Sequence, residues 1–145
     1  MTRRLAGLVL LAACTEAVDP EPLGDYTTWT REDVTGAAPG HGDTYRIIYA
    51  NELAIDPAWT LERGYQEGAI LVKEIRDNVD GMPGDLRYVA IMRRIGPLAT
   101  GLEREGGWLF SSSSTPNGSE RHSALCWSRC HVASPYNGAW YDYRR

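Results

Sequence analysis

Cysteine, histidine and phenylalanine are scarce in this sequence: three, three and one among 145 residues. Three cysteines cannot build the multi-bridge framework of a small disulfide-stapled domain. Three histidines, only one of them beside the cysteines, leave a four-ligand structural zinc site short of donors. The N-terminal apolar run, Leu5–Ala13, falls well short of the roughly 20 residues that a membrane-spanning helix needs. Positive charge is also short, with a formal net charge of −4 and no basic aromatic stripe. Nucleic acid is therefore a poor candidate for a partner. No internal repeat is visible, and the length suits one domain rather than two.

The chain carries five Trp and eight Tyr, large amphipathic rings that suit either a half-exposed pocket or a sheet surface. It begins Met1-Thr2-Arg3-Arg4, followed by the short apolar run and Cys14. A basic start and a short apolar stretch describe an export signal. Leu11-Ala12-Ala13-Cys14 resembles the bacterial lipobox, where cleavage leaves a lipid-modified cysteine; the alternative is a signal peptide cut elsewhere. Removal of residues 1–13 strips Arg3 and Arg4 and no acid, so the remaining chain is more acidic still. Residues 14–24, acidic and proline-bearing, read as a tether between a membrane and a domain spanning 25–145. The expected location is periplasmic, with the membrane touched through a lipid on Cys14 alone.

Near the other end stands Cys126-Trp127-Ser128-Arg129-Cys130-His131. Two thiols followed at once by a histidine look like a covalent c-type haem site, where thioethers hold the macrocycle and the imidazole binds iron. The usual spacing has two residues between the cysteines; here there are three. On a helix, cysteines four apart still lie within about 40° of each other. The first cysteine and the histidine, five apart, diverge by about 140°, so a π-type turn is expected to restore the register. A small disulfide loop, free thiols or a metal site are the other readings. With Cys14 taken by lipid, an exported chain is left with only the pair beside His131, which favours haem.

The β-branched and aromatic stretch Thr44–Asn51 predicts a strand, as do Ala69–Arg76, Leu86–Arg94 and Trp108–Ser112. Asp25–Thr35 reads as a weakly patterned, possible helix. Gly36–Asp43 is a loop by composition, and Asn78–Asp85 carries turn chemistry. Asp56-Pro57 signals a helix running to about Arg63, with Gly64 as its stop. Glu120–Val132 is expected to be the helix that bears the cysteines, with Trp140–Tyr143 packing back or pairing. These elements predict an α+β fold: a curved, mainly antiparallel sheet of about four to five strands with a few short helices.

With its elements in this order, the chain resembles the cytochrome P-460 family, which includes the cytochromes c′-beta. The likeness runs from about Thr44 to Tyr143. It is carried by Tyr45-Arg46-Ile47-Ile48-Tyr49, Gly68–Glu74, Gly84-Asp85, Gly107-Trp108-Leu109-Phe110 and the Cys126…Cys130-His131 site. The resemblance implies one covalent haem c in a usually homodimeric periplasmic protein that oxidises hydroxylamine or binds nitric oxide. It implies thioethers from Cys126 and Cys130 and a proximal ligand in His131. Lys73 matches the lysine that hydroxylamine-oxidising members bond to the haem edge; alternatively it sits on a solvated face. Arg46 matches a strand arginine near the pocket of catalytic members; alternatively it is a surface charge. Strand alternation places Ala69, Leu71 and Lys73 on one face and Ile70, Val72 and Glu74 on the other.

Catalytic members place a carboxylate on the third strand, where this chain has Tyr88-Val89-Ala90-Ile91-Met92. Without an acid to manage protons, the expectation leans towards binding nitric oxide or a related small nitrogen species and away from hydroxylamine oxidation. Two alternatives stand beside it. One is an electron carrier, serving a periplasmic redox partner, with a second axial ligand from His122, Met82 or Met92. The other is a haem-free binding module with a Cys126–Cys130 disulfide.

Overall fold

The computed structural model describes residues 16–58, 64–96 and 105–143. The chain folds into an eight-stranded antiparallel sheet. The strands are β1 (Glu16–Val18), β2 (Thr30–Val34), β3 (Ala37–Ala38), β4 (Gly42–Ala50), β5 (Ile70–Val79), β6 (Met82–Arg94), β7 (Trp108–Ser113) and β8 (Glu120–His122). Their order across the sheet is β1-β8-β7-β6-β5-β4-β2, with the short β3 paired to the start of β4. Strands β4 to β8 are consecutive neighbours, so the body of the fold is a meander.

The four strands read from the sequence are present, each extended at one end, with the first and second a residue shorter at the other. Around them the α+β expectation is overturned. Among the described residues there is one α-helix, α1 (Leu125–Arg129), and two 3-10 turns, Tyr26–Thr28 and His131–Ala133. The fold is β-rich, and the cysteine segment does not ride on a long C-terminal helix. Asp25–Thr35, read as a possible helix, instead makes the first 3-10 turn and then β2. Its β-branched Thr30 and Val34 suit a strand, and it pairs with β4 from Thr30↔Ala50 to Val34↔Arg46. Glu120–His122, expected in the last helix, pairs with β7 and β1. Glu16–Val18, inside the stretch read as a tether, is that edge strand. The helix read from Asp56 falls largely outside the described residues; within them, the Asp56 carboxylate accepts a hydrogen bond from the Ala58 amide at 2.7 Å.

Strand β5 shows why the sheet is thick. Its burial alternates imperfectly, with Leu71, Val72, Glu74 and Ile75 all shielded, because both faces of the sheet are covered. One face buries Leu23, Tyr26, Ile47, Tyr49, Val72, Val89 and Ile91. The other buries Ala50, Leu71, Met92, Trp108 and Phe110 beneath the C-terminal segment, with Tyr65 and Ala139. The turn between β5 and β6 is Asp80-Gly81, both with positive φ (51° and 83°), which shortens the expected 78–85 loop to two residues. Register shifts around Arg76 bend the hairpin just before this turn.

Arg93 ties the far strands to the middle. It grips Glu120 with both nitrogens (2.6 and 2.7 Å), and Ser111 also donates to that carboxylate. Both members of the ion pair are buried, so the short β8 is fixed by charge where it has few ladder bonds of its own.

Candidate functional site

The site grows from Phe110, the only phenylalanine in the chain. Its ring is 2% exposed on β7 and faces the C-terminal segment. The indole of Trp127 on α1 packs 6.1 Å from it, and the imidazole of His131 packs 4.8 Å from it, centroid to centroid. One aromatic residue thus seats both the helix and the histidine.

The chain reaches His131 through a break rather than a π-type turn. Helix α1 ends at Arg129, Cys130 leaves helical geometry (φ −131°, ψ −60°), and His131 opens the following 3-10 turn. The extra residue between the cysteines is therefore absorbed at Cys130. A five-residue helix without a side-chain cap has little cooperative reason to continue.

His131 is then locked by a hairpin turn. Asn137 and Gly138 both have positive φ (49° and 103°), and Tyr136 and Ala139 exchange both backbone hydrogen bonds at 3.1 Å. This Asn-Gly turn has the two-residue geometry that L-residues other than Asn and Asp rarely adopt. It presents two carbonyls to the core. Asn137 O accepts from Trp108 Nε1 at 2.8 Å, and Gly138 O accepts from His131 Nδ1 at 2.6 Å. A proton on Nδ1 leaves Nε2 with its lone pair, the tautomer a metal ligand requires. Burial also pushes the His131 pKa down, and Lys73 adds to that, while the Gly138 bond opposes it.

His131 lines a cleft with His41, Lys73, Met92, Phe110, Cys126 and Trp140, floored by Ile48, Leu71 and Ala90 of the sheet. Its empty space is about 490 Å³ counting the open mouth, and the centres of water-sized molecules can reach about 40 Å³ of it. As it stands the cleft has room for on the order of two or three waters, or a diatomic. Cys126 and Cys130 are both free thiols. Cys126 contributes to the cleft wall, where burial raises its thiol pKa. Cys130 is not among the lining residues; its sulfur lies beside Gly40. The donor types are those of a c-type haem site, two free thiols and an imidazole whose second nitrogen is fixed by a carbonyl, with Cys126 and His131 on the cleft and Cys130 off it.

Lys73 is the only lysine in the chain; every other basic residue except histidine is arginine. It shares the cleft face with Leu71, as strand alternation requires, opposite Ile48 on β4 and Ala90 on β6. No hydrogen bond or ion pair engages its amine among the described residues. Burial pushes its pKa down to about 8, Arg46 adds to this, and Cys126 opposes it. Arg46 is 5% exposed, so it is no surface charge. Its guanidinium donates to Gly36 O (2.7 Å), Thr35 O (3.3 Å) and Thr44 Oγ1 (3.3 Å), bracing the turn before β3 without contacting a carboxylate. Cys14 lies outside the described residues.

The candidate sixth ligands separate clearly. His122 donates from Nδ1 to Phe110 O (2.7 Å), and its Nε2 meets Glu105 Oε1 at 3.0 Å, so both nitrogens are engaged. Met82 is 66% exposed at the start of β6. Only Met92 lines the cleft.

Sequence reasoning passed over His41, which composition had assigned to a featureless loop. Its Nδ1 lies 2.7 Å from the Tyr88 hydroxyl, and it stands at the Lys73 end of the cleft. Burial lowers its pKa to about 4, reinforced by Lys73, His131 and Arg46. It also passed over Asn137-Gly138, although that dipeptide is a strong hairpin signal. No aspartate or glutamate is among the residues that line the cleft.

Among the described residues no group of three or more His, Cys, Asp or Glu could hold a metal ion by itself, and no helix is long and apolar enough to cross a membrane. In comparisons with known proteins, no family model and no curated protein matches the chain.

Proposed function

We propose that the protein is an exported, lipid-anchored c-type haem protein that binds nitric oxide or a related small nitrogen species. The observation that carries this reading is the fixed imidazole of His131. It is buried, held by Gly138 O at 2.6 Å, and placed on the same cleft as a free Cys126 thiol. A structural histidine has no need of an adjacent pair of unpaired thiols.

Bound haem would supply an iron centre that takes up diatomic ligands. The chain's residues do the rest. Cys126 and Cys130 would attach the macrocycle, and His131, oriented by its Nδ1 bond, would be the proximal ligand. Phe110 and Met92 line the cleft with apolar surface. The absence of any acid among the lining residues supports ligand binding over hydroxylamine oxidation, which must shed protons. The engagement of both His122 nitrogens removes His122 as a sixth ligand and leaves Met92 as the candidate that lines the cleft.

The test is expression of the chain with a cytochrome c maturation system, followed by spectra of the pure protein. Covalent high-spin haem that takes up nitric oxide is the expected result. A chain whose mass shows no haem after maturation overturns the reading. A low-spin spectrum inert to carbon monoxide replaces it with the electron carrier.

A further inference from the structure

Lys73 and a neutral His41 line the cleft, Arg46 lies behind Lys73, and no acid is among the lining residues. Arg46 and Lys73 sit on the same sheet face, diagonal across the β4–β5 pair, because Arg46 pairs with Ile75 and Lys73 with Ile48. Diagonal neighbours of this kind are about 7–8 Å apart, so a small group can sit between their side chains. Arg46 is the chief charge acting on the Lys73 amine. The hydrogen bonds of Arg46 all go to neutral oxygens, and the Lys73 amine makes none. The closest acid that bears on Arg46, Asp43, is exposed. Glu74 follows Lys73 in sequence but points through the sheet to Tyr26 and Arg76. Lys73 is half-buried, and among the described residues its ammonium has no hydrogen-bond or ion-pair partner.

His41 completes the arrangement. When the Tyr88 hydroxyl donates to Nδ1, the remaining proton is on Nε2, and the ring becomes a second donor on the cleft beside Lys73. The floor next to these donors is apolar, formed by Ile48 and Ala90.

We propose that the Lys73 end of the cleft binds a small planar monoanion, a carboxylate or nitrite. The Lys73 ammonium contacts its oxygens, His41 Nε2 donates a hydrogen bond, and Arg46 contributes its field from behind. This chemistry has two sources: a free small oxyanion, or a carboxylate on the edge of a bound macrocycle. The site does not depend on haem, since Lys73, Arg46 and His41 are held by the sheet and the β3–β4 loop.

The single lysine makes the test direct. The full chain is purified without haem, and acylation of Lys73 at pH 8 is followed by peptide mass mapping in sodium acetate, sodium nitrite, or sodium chloride of equal ionic strength. A bound oxyanion returns the amine towards its ordinary pKa, so acetate or nitrite slows acylation about tenfold or more relative to chloride. The slowing saturates with concentration and weakens at pH 9.5, where the ammonium is lost. Arg46→Gln diminishes it. Should that variant not fold, Lys73→Met carries the test: acetate raises the wild-type Tm and leaves the variant's unchanged. Equal acylation rates in all three salts, or an equal acetate-induced Tm rise in Lys73→Met, overturn the proposal. In haem-loaded protein, a persistent acetate effect on Tm identifies the free anion as occupant, and its loss identifies the macrocycle's own carboxylate.

Discussion

Lys73 shows how one side chain sets conditions for the whole cleft. Folded, its amine titrates near 8; unfolded, near 10.5. Between those values the unfolded chain holds more protons, so stability rises with pH there and is lowest below 8. The lysine is thus a liability at neutral pH unless something pairs with it. Lys73→Met, in haem-free protein and chloride buffer, is expected to be about 2 kcal/mol more stable at pH 7. Urea denaturation at pH 7 and pH 10.5 checks this, with the advantage nearly gone at the higher value. Period-two alternation alone put the lysine on one face with Leu71, but whether that face was a cleft or solvent was not legible. Nor was its isolation, because the absence of a partner depends on what β4, β6 and the C-terminal segment bring to it.

The Asn137-Gly138 turn acts at the level of the element. Gly138 has φ +103°, and a Cβ there would collide with the indole of Trp108. Gly138→Ala is expected to cost about 2–3 kcal/mol through backbone strain and the displaced indole. The same change moves the carbonyl that holds His131 Nδ1. Chemical denaturation measures the first effect. Loss of the downfield Nδ1 proton resonance of His131 in NMR spectra reports the second. Helix α1 illustrates the limits of local pattern. Spacing arguments treated Cys126–His131 as one periodic segment, whereas packing of Trp127 and His131 on a single ring is met better by a five-residue helix, a break and a tight turn. Tertiary contact with Phe110, invisible in the spacing, decided the geometry.

Across the whole molecule, acid is expected to unfold the domain earlier than its paired carboxylates alone would require. His41 titrates near 4 when folded and near 6.5 when not. As pH falls below 6.5 the unfolded chain takes up a proton that the folded one refuses, and stability drops until about pH 4. His41→Gln is expected to recover about 1–2 kcal/mol of the loss at pH 4.5 relative to pH 7.5, measured by denaturation at both values. At this scale the sequence foretold the meander of β4 to β7 through β-branched runs and turn dipeptides. It did not foretell β2 or β8. Thr30–Val34 is polar at Arg31, Glu32 and Asp33, and Glu120–His122 is a three-residue strand held by the Arg93–Glu120 ion pair. Short edge strands of this kind take their structure from their neighbours.

The pairing of Glu16–Val18 with Glu120–His122 alters how far the protein could roam if Cys14 carries a lipid. A ten-residue acidic leash would let the sheet wander tens of ångströms from the bilayer, yet only Thr15 separates Cys14 from β1. Two residue steps reach about 7 Å at most. The sheet edge formed by β1 and β8 would then rest against the headgroups, and the domain would ride on the bilayer instead of ranging above it.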